Sequence, residues 1–295
     1  MLSLNEKFLL GQYKKAFIVE SEGGTPAEKL FSVMLESDLI NGLLTCGKRG
    51  EPKLFQRGDK VEINSLNRFY GLNALLKKAI QKHRLDKLAI FAPSCILDGL
   101  NKAQYFGIGC NWVKTAVALK VGVLCLGSLT ENALTAMLLD AQSVKEKPLR
   151  FFVHRGSACY QTEKGQKVTV DPETFHHYAN TACHYCLNLS AKGSDITFVP
   201  LKEPNRALFL IRSERGWRTL AQVQSLKPGE IKFKAAPRKS VEELLKVLRE
   251  KMVLNVAEII ERVELGLPVP KWSDNKLRKF YRMWNSVENL EEEVF

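Results

Sequence analysis

Apolar positions along this chain follow two rhythms, and the alternation between them lays out a fold. Short apolar runs bounded by turn residues read as buried strands at 16–19, 42–46, 88–91 and 121–125. Between them apolar residues recur every three or four positions. That spacing puts Leu30, Phe31, Met34 and Leu35 on one face of a helix over 26–39. It predicts further helices over 69–81, 96–106 and 131–139. The first helix has the best-marked start. Thr25 fits the N-cap, Pro26 the first helical position and Glu28 the return partner of a capping box. Strands alternating with helices predict a mostly parallel sheet flanked by helices.

Near residue 150 the rhythm changes. Residues 151–154 and the stretch around 164–167 read as strands at turns, and 196–201 and 207–212 as two more. Helical spacing returns after Pro237, over 241–263, and 276–284 predicts a last short helix before the acidic end 291–293. The fold class expected is therefore α/β, with a β-rich (α+β) second half and a helical C-terminal tail. The divisions fall at 1–149, 150–237 and 238–295, the last read as a partner-docking extension.

Composition narrows the classes of function. The chain has 295 residues, 45% of them hydrophobic, enough for a sizeable core. No apolar run approaches the roughly 20 residues of a membrane span, and the N-terminus has no signal-peptide cleavage pattern. Seven cysteines, an odd number without disulfide-framework density, fit a reducing cytoplasm. A net charge of +12 calls for an acidic partner: nucleic acid, a phosphorylated or polycarboxylate cofactor, or an acidic subunit. The chain carries no Arg-rich arm, zinc-finger spacing or RNA-binding aromatic motif, so nucleic acid is set aside.

The candidate chemistry lies mainly in the cysteines. Cys183 and Cys186 form a C-x-x-C pair, while Cys95 and Cys125 each close a short apolar run. Ligands collect beyond the carboxyl ends of strands in open α/β sheets, so these four thiols could form the cage of a [4Fe-4S] cluster. A four-thiolate zinc site and a redox-active C-x-x-C disulfide are the competing readings. Cys46, Cys110 and Cys159 read as small buried hydrophobes. The Gly23-Gly24-Thr25 turn before a capped helix could cradle a phosphate, or be an ordinary turn. His176, His177 and His184 lack helical metal spacing and read as hydrogen-bonded or surface histidines. Trp217, Trp272 and Trp284 read as packing or interface aromatics.

Taken in order, these motifs resemble the beta-subunit family of coenzyme F420-reducing hydrogenase, which includes F420-linked formate dehydrogenase beta subunits. The matching pieces are Gly23-Gly24-Thr25, Asn67-Arg68-Phe69, Ala92-Pro93-Ser94-Cys95, Gly122-Val123-Leu124-Cys125 and Cys183-His184-Tyr185-Cys186. Ser194-Asp195-Ile196 and Ile211–Gly216 extend the match, which covers about residues 20–220. The resemblance implies FAD, with its pyrophosphate at Gly23, Gly24 and Thr25 and Arg68 as a second contact, in the 1–149 half. It implies a [4Fe-4S] cluster on Cys95, Cys125, Cys183 and Cys186, and hydride exchange with coenzyme F420, a deazaflavin. Single electrons would pass to a partner hydrogenase, formate dehydrogenase or heterodisulfide reductase subunit. Hydride transfer requires no side-chain acid or base, so no catalytic residue is named.

Two departures stand out: Asn188 replaces a common Asp after the C-x-x-C pair, and Phe198-Val199-Pro200 replaces a glycine-containing segment. No ferredoxin-like insertion is present, so longer fused relatives are excluded. Two other readings follow from the same residues. One is a flavin and iron–sulfur reductase of another organic substrate, such as a tetrapyrrole. The other is a non-enzymatic adaptor in an electron-transfer complex.

Overall fold

The computed structural model describes residues 4–48, 50–63, 66, 71–107 and 112–269. Arg68, Cys110, Trp272, Trp284 and the 276–284 helix expected from the sequence lie outside the described residues. The chain opens with α1 (Leu4–Leu9), β1 (Lys15–Ser21), α2 (Pro26–Glu36), β2 (Gly42–Cys46), β3 (Pro52–Phe55) and α3 (Leu72–Gln81). It continues with β4 (Leu88–Ala92), α4 (Ser94–Phe106), α5 (Val113–Ala116), β5 (Val117–Val123) and α6 (Glu131–Gln142). A hairpin pair, β6 (Pro148–His154), β7 (Ser157–Thr162) and β8 (Lys167–Val170), leads to α7 (Pro172–Tyr178) and a 3-10 turn over Thr181–Tyr185. The last elements are β9 (Ile196–Pro200), β10 (Arg206–Ile211), α8 (Glu214–Leu226), β11 (Ile231–Ala235) and α9 (Arg238–Glu264).

Eight strands form one sheet in the order β11-β1-β10-β9-β5-β4-β2-β3. β2, β4, β5 and β9 are parallel neighbours. β10 pairs antiparallel with both β9 and β1, so β1 runs in the same direction as the parallel set. Five strands therefore deliver their carboxyl ends to one edge, which is where an open α/β sheet gathers ligands. The chain leaves this sheet near residue 150 to build the antiparallel sheet β6-β7-β8. It then returns at Ile196, so the stretch 150–237 supplies strands to both sheets.

Alternation along the strands divides the core in two. On β10, Ala207, Phe209 and Ile211 face a cluster built with α2, α3, α4 and α8, while Leu208 and Leu210 face the other side. There α1, α6, α7, α9 and the small sheet pack together around Met137, Tyr160, Leu248 and Met252. Arg150, only 9% exposed, ties the sheets together. Its guanidinium donates to Gln161 Oε1 (2.9 Å), to the Leu201 carbonyl (3.2 Å) and to the Lys202 carbonyl.

The start of α2 has the geometry its sequence predicts. Thr25 Oγ1 accepts from the Glu28 N–H at 3.3 Å, and Glu28 Oε2 accepts from the Thr25 N–H at 3.0 Å. The sequence does not predict α8, because this helix is largely polar and buries only Gly216, Leu220 and Val223.

Candidate cysteine centre and the adjoining cleft

Pro93, extended at φ −68° and ψ 165°, ends β4 and starts α4, so Cys95 occupies the first helical turn just past the strand. A helix start favours a thiolate. Cys125 lies two residues beyond β5, held by its N–H donating to the Leu189 carbonyl at 3.0 Å. Asn180 caps the 3-10 turn that presents the C-x-x-C pair, its side chain accepting from the Ala182 N–H at 3.0 Å. Within that turn the Cys186 N–H donates to the Cys183 carbonyl at 3.4 Å. The loop after Cys125 runs directly against the pair, and the Ser128 N–H donates to Cys183 Sγ at 3.3 Å. Gly127 permits this approach, since a Cβ there would lie 3.0 Å from both Ala179 and Phe175.

The four thiols lie near enough for their charges to act on one another. Burial pushes the Cys125 thiol well above its ordinary value, and the charges of Cys183, Cys186 and Cys95 push it further. Burial, then Cys186 and Cys183, raises Cys95 in the same way. Cys186 is raised by burial first and also by Cys183. Thiols whose ionisation is opposed by burial and by neighbouring sulfurs need an added positive charge to be thiolates together, and a bound metal centre supplies one.

Helix α9 closes the other side of this group. Asn255, fully buried, donates through Nδ2 to the carbonyls of both Cys183 (3.1 Å) and Cys186 (2.7 Å). One turn earlier Lys251, 2% exposed, sets its Nζ against His176 Nδ1. Burial lowers the Lys251 pKa to about 8, and the charges of Cys183, Cys186 and Cys125 act against that shift. Sequence reasoning missed both residues. The signal available was a Lys and an Asn four apart on the apolar face of a predicted helix.

His176, His184 and Glu258 bring their ligand atoms within 4.8 Å of one another, alone in this among the described residues. The two imidazoles are stacked, with centroids 4.0 Å apart and planes inclined by only 22°. A metal binds imidazole in the plane of the ring, so these rings cannot aim at one ion. The histidines belong to a polar network with Lys251. Elsewhere Cys46 and Cys159 are fully buried apolar-type cysteines.

The later motifs brace the site from outside. Asp195 Oδ2 accepts from the Lys120 N–H (2.9 Å) and Oδ1 from Ser213 Oγ (2.6 Å). A Cβ on Gly216 would come within 2.5 Å of the Asp195 carbonyl oxygen. Arg212 donates to Thr197 Oγ1 (2.7 Å) and to the Ser190 carbonyl (2.8 Å). These contacts fix the return from the C-x-x-C pair to β9. A Cβ on Gly122 would lie 2.2 Å from Ala191 Cβ, so the loop needs glycine where it crosses β5. The departure at Asn188 also has a local cause. Its Nδ2 donates to Asp98 Oδ2 at 2.8 Å, which an aspartate there could not do.

Gly23 and Gly24, both left-handed at φ 72° and 74°, lead into a cleft lined by Thr25, Phe91, Val123, Phe151, Phe198 and Arg206, among others. Phe198, where the resemblance leads one to expect a glycine-containing segment, packs edge-on against Phe91. The cleft is narrow, with a cavity volume of about 40 Å³. Thr25 is committed to the helix cap. Glu28 Oε2 holds both its N–H and its hydroxyl, and Oε1 accepts from the Ile63 N–H at 3.1 Å.

Residues 85–239 match the family model for the C terminus of the coenzyme F420 hydrogenase/dehydrogenase beta subunit. The coenzyme F420 hydrogenase subunit beta of Methanococcus voltae is 22% identical over 246 residues, covering 80% of this chain and 87% of the relative. The protein of the same name from Methanothermobacter thermautotrophicus is 23% identical over 291 residues, covering 89% and 99%. In fold, the chain resembles one from the F420-reducing [NiFe] hydrogenase complex of Methanosarcina barkeri, solved as a xenon derivative. The TM-score is 0.73 at 22% identity, over 89% of this chain and 97% of that one. With more than half its length under the family model and the same order of motifs, this chain belongs to the coenzyme F420 hydrogenase/dehydrogenase beta-subunit family.

Proposed function

We propose that the chain is the subunit of an oxidoreductase complex that exchanges a hydride with coenzyme F420 and passes single electrons to a partner through a [4Fe-4S] cluster. The observation that carries this reading is the convergence of Cys95, Cys125, Cys183 and Cys186, from three separate stretches, at the shared carboxyl edge of the sheet. The donor set suits a cluster better than a zinc ion. Zn–S bonds of about 2.3 Å hold four sulfurs within roughly 4 Å of one another, whereas no three of these sulfurs lie within 4.8 Å. A four-iron cube holds its ligands further apart.

FAD is assigned to the cleft. Phe91, Phe151 and Phe198 give it walls suited to a planar ring, and Arg150 and Arg206 give it positive charge. Because Thr25 is occupied by Glu28, phosphate contacts fall to the N–H groups of Gly23 and Gly24, which donate no backbone hydrogen bond within the described residues. Arg68 is retained as a second contact. When bound, a flavin supplies the exchange between two-electron hydride chemistry and one-electron cluster chemistry. The chain's own part is to hold the two groups side by side on one sheet edge. A net charge of +12 suits F420, which carries phosphate and a glutamate tail.

The partner is read as a hydrogenase subunit, as in the named relatives, with formate dehydrogenase or heterodisulfide reductase subunits as alternatives. No helix among the described residues is long and apolar enough to cross a membrane. Anaerobic stopped-flow mixing of the loaded chain with reduced F420 tests the reading. Flavin bleaching followed by cluster reduction is expected. Absence of any flavin response would remove F420 as substrate and favour another organic substrate. In Cys183→Ser the iron–sulfur absorbance should be lost, and an unchanged cluster there would overturn the ligand assignment.

A further inference from the structure

All but the first two residues of helix α9 lie beyond residue 239, the end of the matched family region, and its sequence carries no motif that points to a role. Lys251, Asn255 and Glu258 follow one another at helical spacing and share the face turned toward the C-x-x-C turn. Asn255 bonds the carbonyls of Cys183 and Cys186 at 3.1 and 2.7 Å, which fixes the register of helix against turn. Lys251 then falls one turn away, sealed from solvent, against His176. Its surroundings contain Glu258 and the thiols of Cys125, Cys183 and Cys186.

A lysine 2% exposed needs compensation, because an unpaired buried ammonium is strongly disfavoured. No Lys251–carboxylate pair closer than 4.0 Å occurs among the described residues, and its close contact is a nitrogen of His176. The charge that matches it is the thiolate centre.

We propose that α9 is the outer wall of the cysteine centre, with Asn255 a positioning residue for the C-x-x-C turn and Lys251 the built-in cation that sets the reduction potential of the bound cluster. This rests on the iron–sulfur reading above. A fixed positive charge beside a cluster favours its reduced, more negative state, and so raises the potential. The tail read from sequence as a docking extension would thus tune electron flow within the subunit itself.

The test is a redox titration of the full chain, loaded with iron and sulfide, followed by cluster absorbance and by EPR. Lys251→Met keeps an unbranched side chain one atom shorter and removes its charge. It is expected to load iron fully and to titrate at a more negative potential, while Lys251→Arg titrates near the wild-type value. An iron-loaded K251M with an unmoved potential would overturn this inference alone. If K251M does not load but K251R loads normally, the charge serves to hold the cluster rather than to set its potential, and the assignment of Lys251 to the potential is overturned. If both fail to load, the site demands the shape of lysine, and the charge assignment is overturned. A wild-type chain that holds no iron after reconstitution would overturn the iron–sulfur reading itself, and this inference with it.

Discussion

At the residue scale, several positions that read as family signatures turn out to be steric and hydrogen-bonding necessities. Gly122 precedes Cys125 because the loop at Ala191 crosses β5 at a distance that leaves no room for a Cβ. Gly122→Ala should destabilise the chain by about 2–4 kcal/mol, read as a drop in melting temperature, because overpacking here meets a neighbouring Cβ rather than a flexible side-chain end. Asn188→Asp would set two carboxylates against each other at a contact now 2.8 Å long. Its stability should fall by about 1–3 kcal/mol near neutral pH and recover in an Asp98→Asn background, where the pair can bond again. The sequence marks both positions without giving their reasons. The partners, Ala191 and Asp98, lie far along the chain from Gly122 and Asn188.

At the element scale, the capped start of α2 is legible because its signals are local: Thr25, Pro26 and Glu28 fall within four positions. The same capping box has a consequence that spacing cannot reveal, since the Glu28 carboxylate takes the Thr25 donors that a phosphate would use. The α7 and α9 pairing is similarly hidden. His176 on α7 meets Lys251 on α9 across 75 positions of sequence. Burial, then the charges of Lys251 and His184, lowers the His176 pKa from 6.5 to about 4. The folded state thus holds the imidazole neutral where the unfolded chain would take up a proton. The contribution is fully present above pH 6.5 and is lost as the pH falls toward 4. Urea titrations of the cofactor-free chain should show a loss on the order of 2 kcal/mol across that window, and His176→Phe should flatten it. An equally steep profile in the variant would place the acid sensitivity elsewhere.

At the scale of the whole molecule, the chain leaves the large sheet near residue 150, where its apolar rhythm changes, and later rejoins it. The chain builds β6–β8 and then returns β9, β10 and β11 to the large sheet. Apolar runs reveal a strand and not its neighbours, so pairing order had to come from the structure. The excursion brings the C-x-x-C turn over the strand ends that carry Cys95 and Cys125, with Arg150 binding the two sheets together. Arg150→Met should lower stability by about 2–3 kcal/mol by leaving the Leu201 and Lys202 carbonyls without their donor. If the cleft holds FAD as proposed, it should also weaken flavin retention, since Arg150 lines the cleft. A variant that melts like the wild type would show that the sheets are held by their apolar contacts alone.

The proposed function stands on the cysteine centre, and metal analysis of the chain purified without oxygen is its sharpest test. Iron and acid-labile sulfide would be counted against protein, with an EPR spectrum after reduction by dithionite. About four irons and about four sulfides per chain are expected, with a reduced-cluster signal that disappears in Cys183→Ser. One zinc per chain, or a chain that refuses iron even after reconstitution, would contradict the cluster and the electron path built on it.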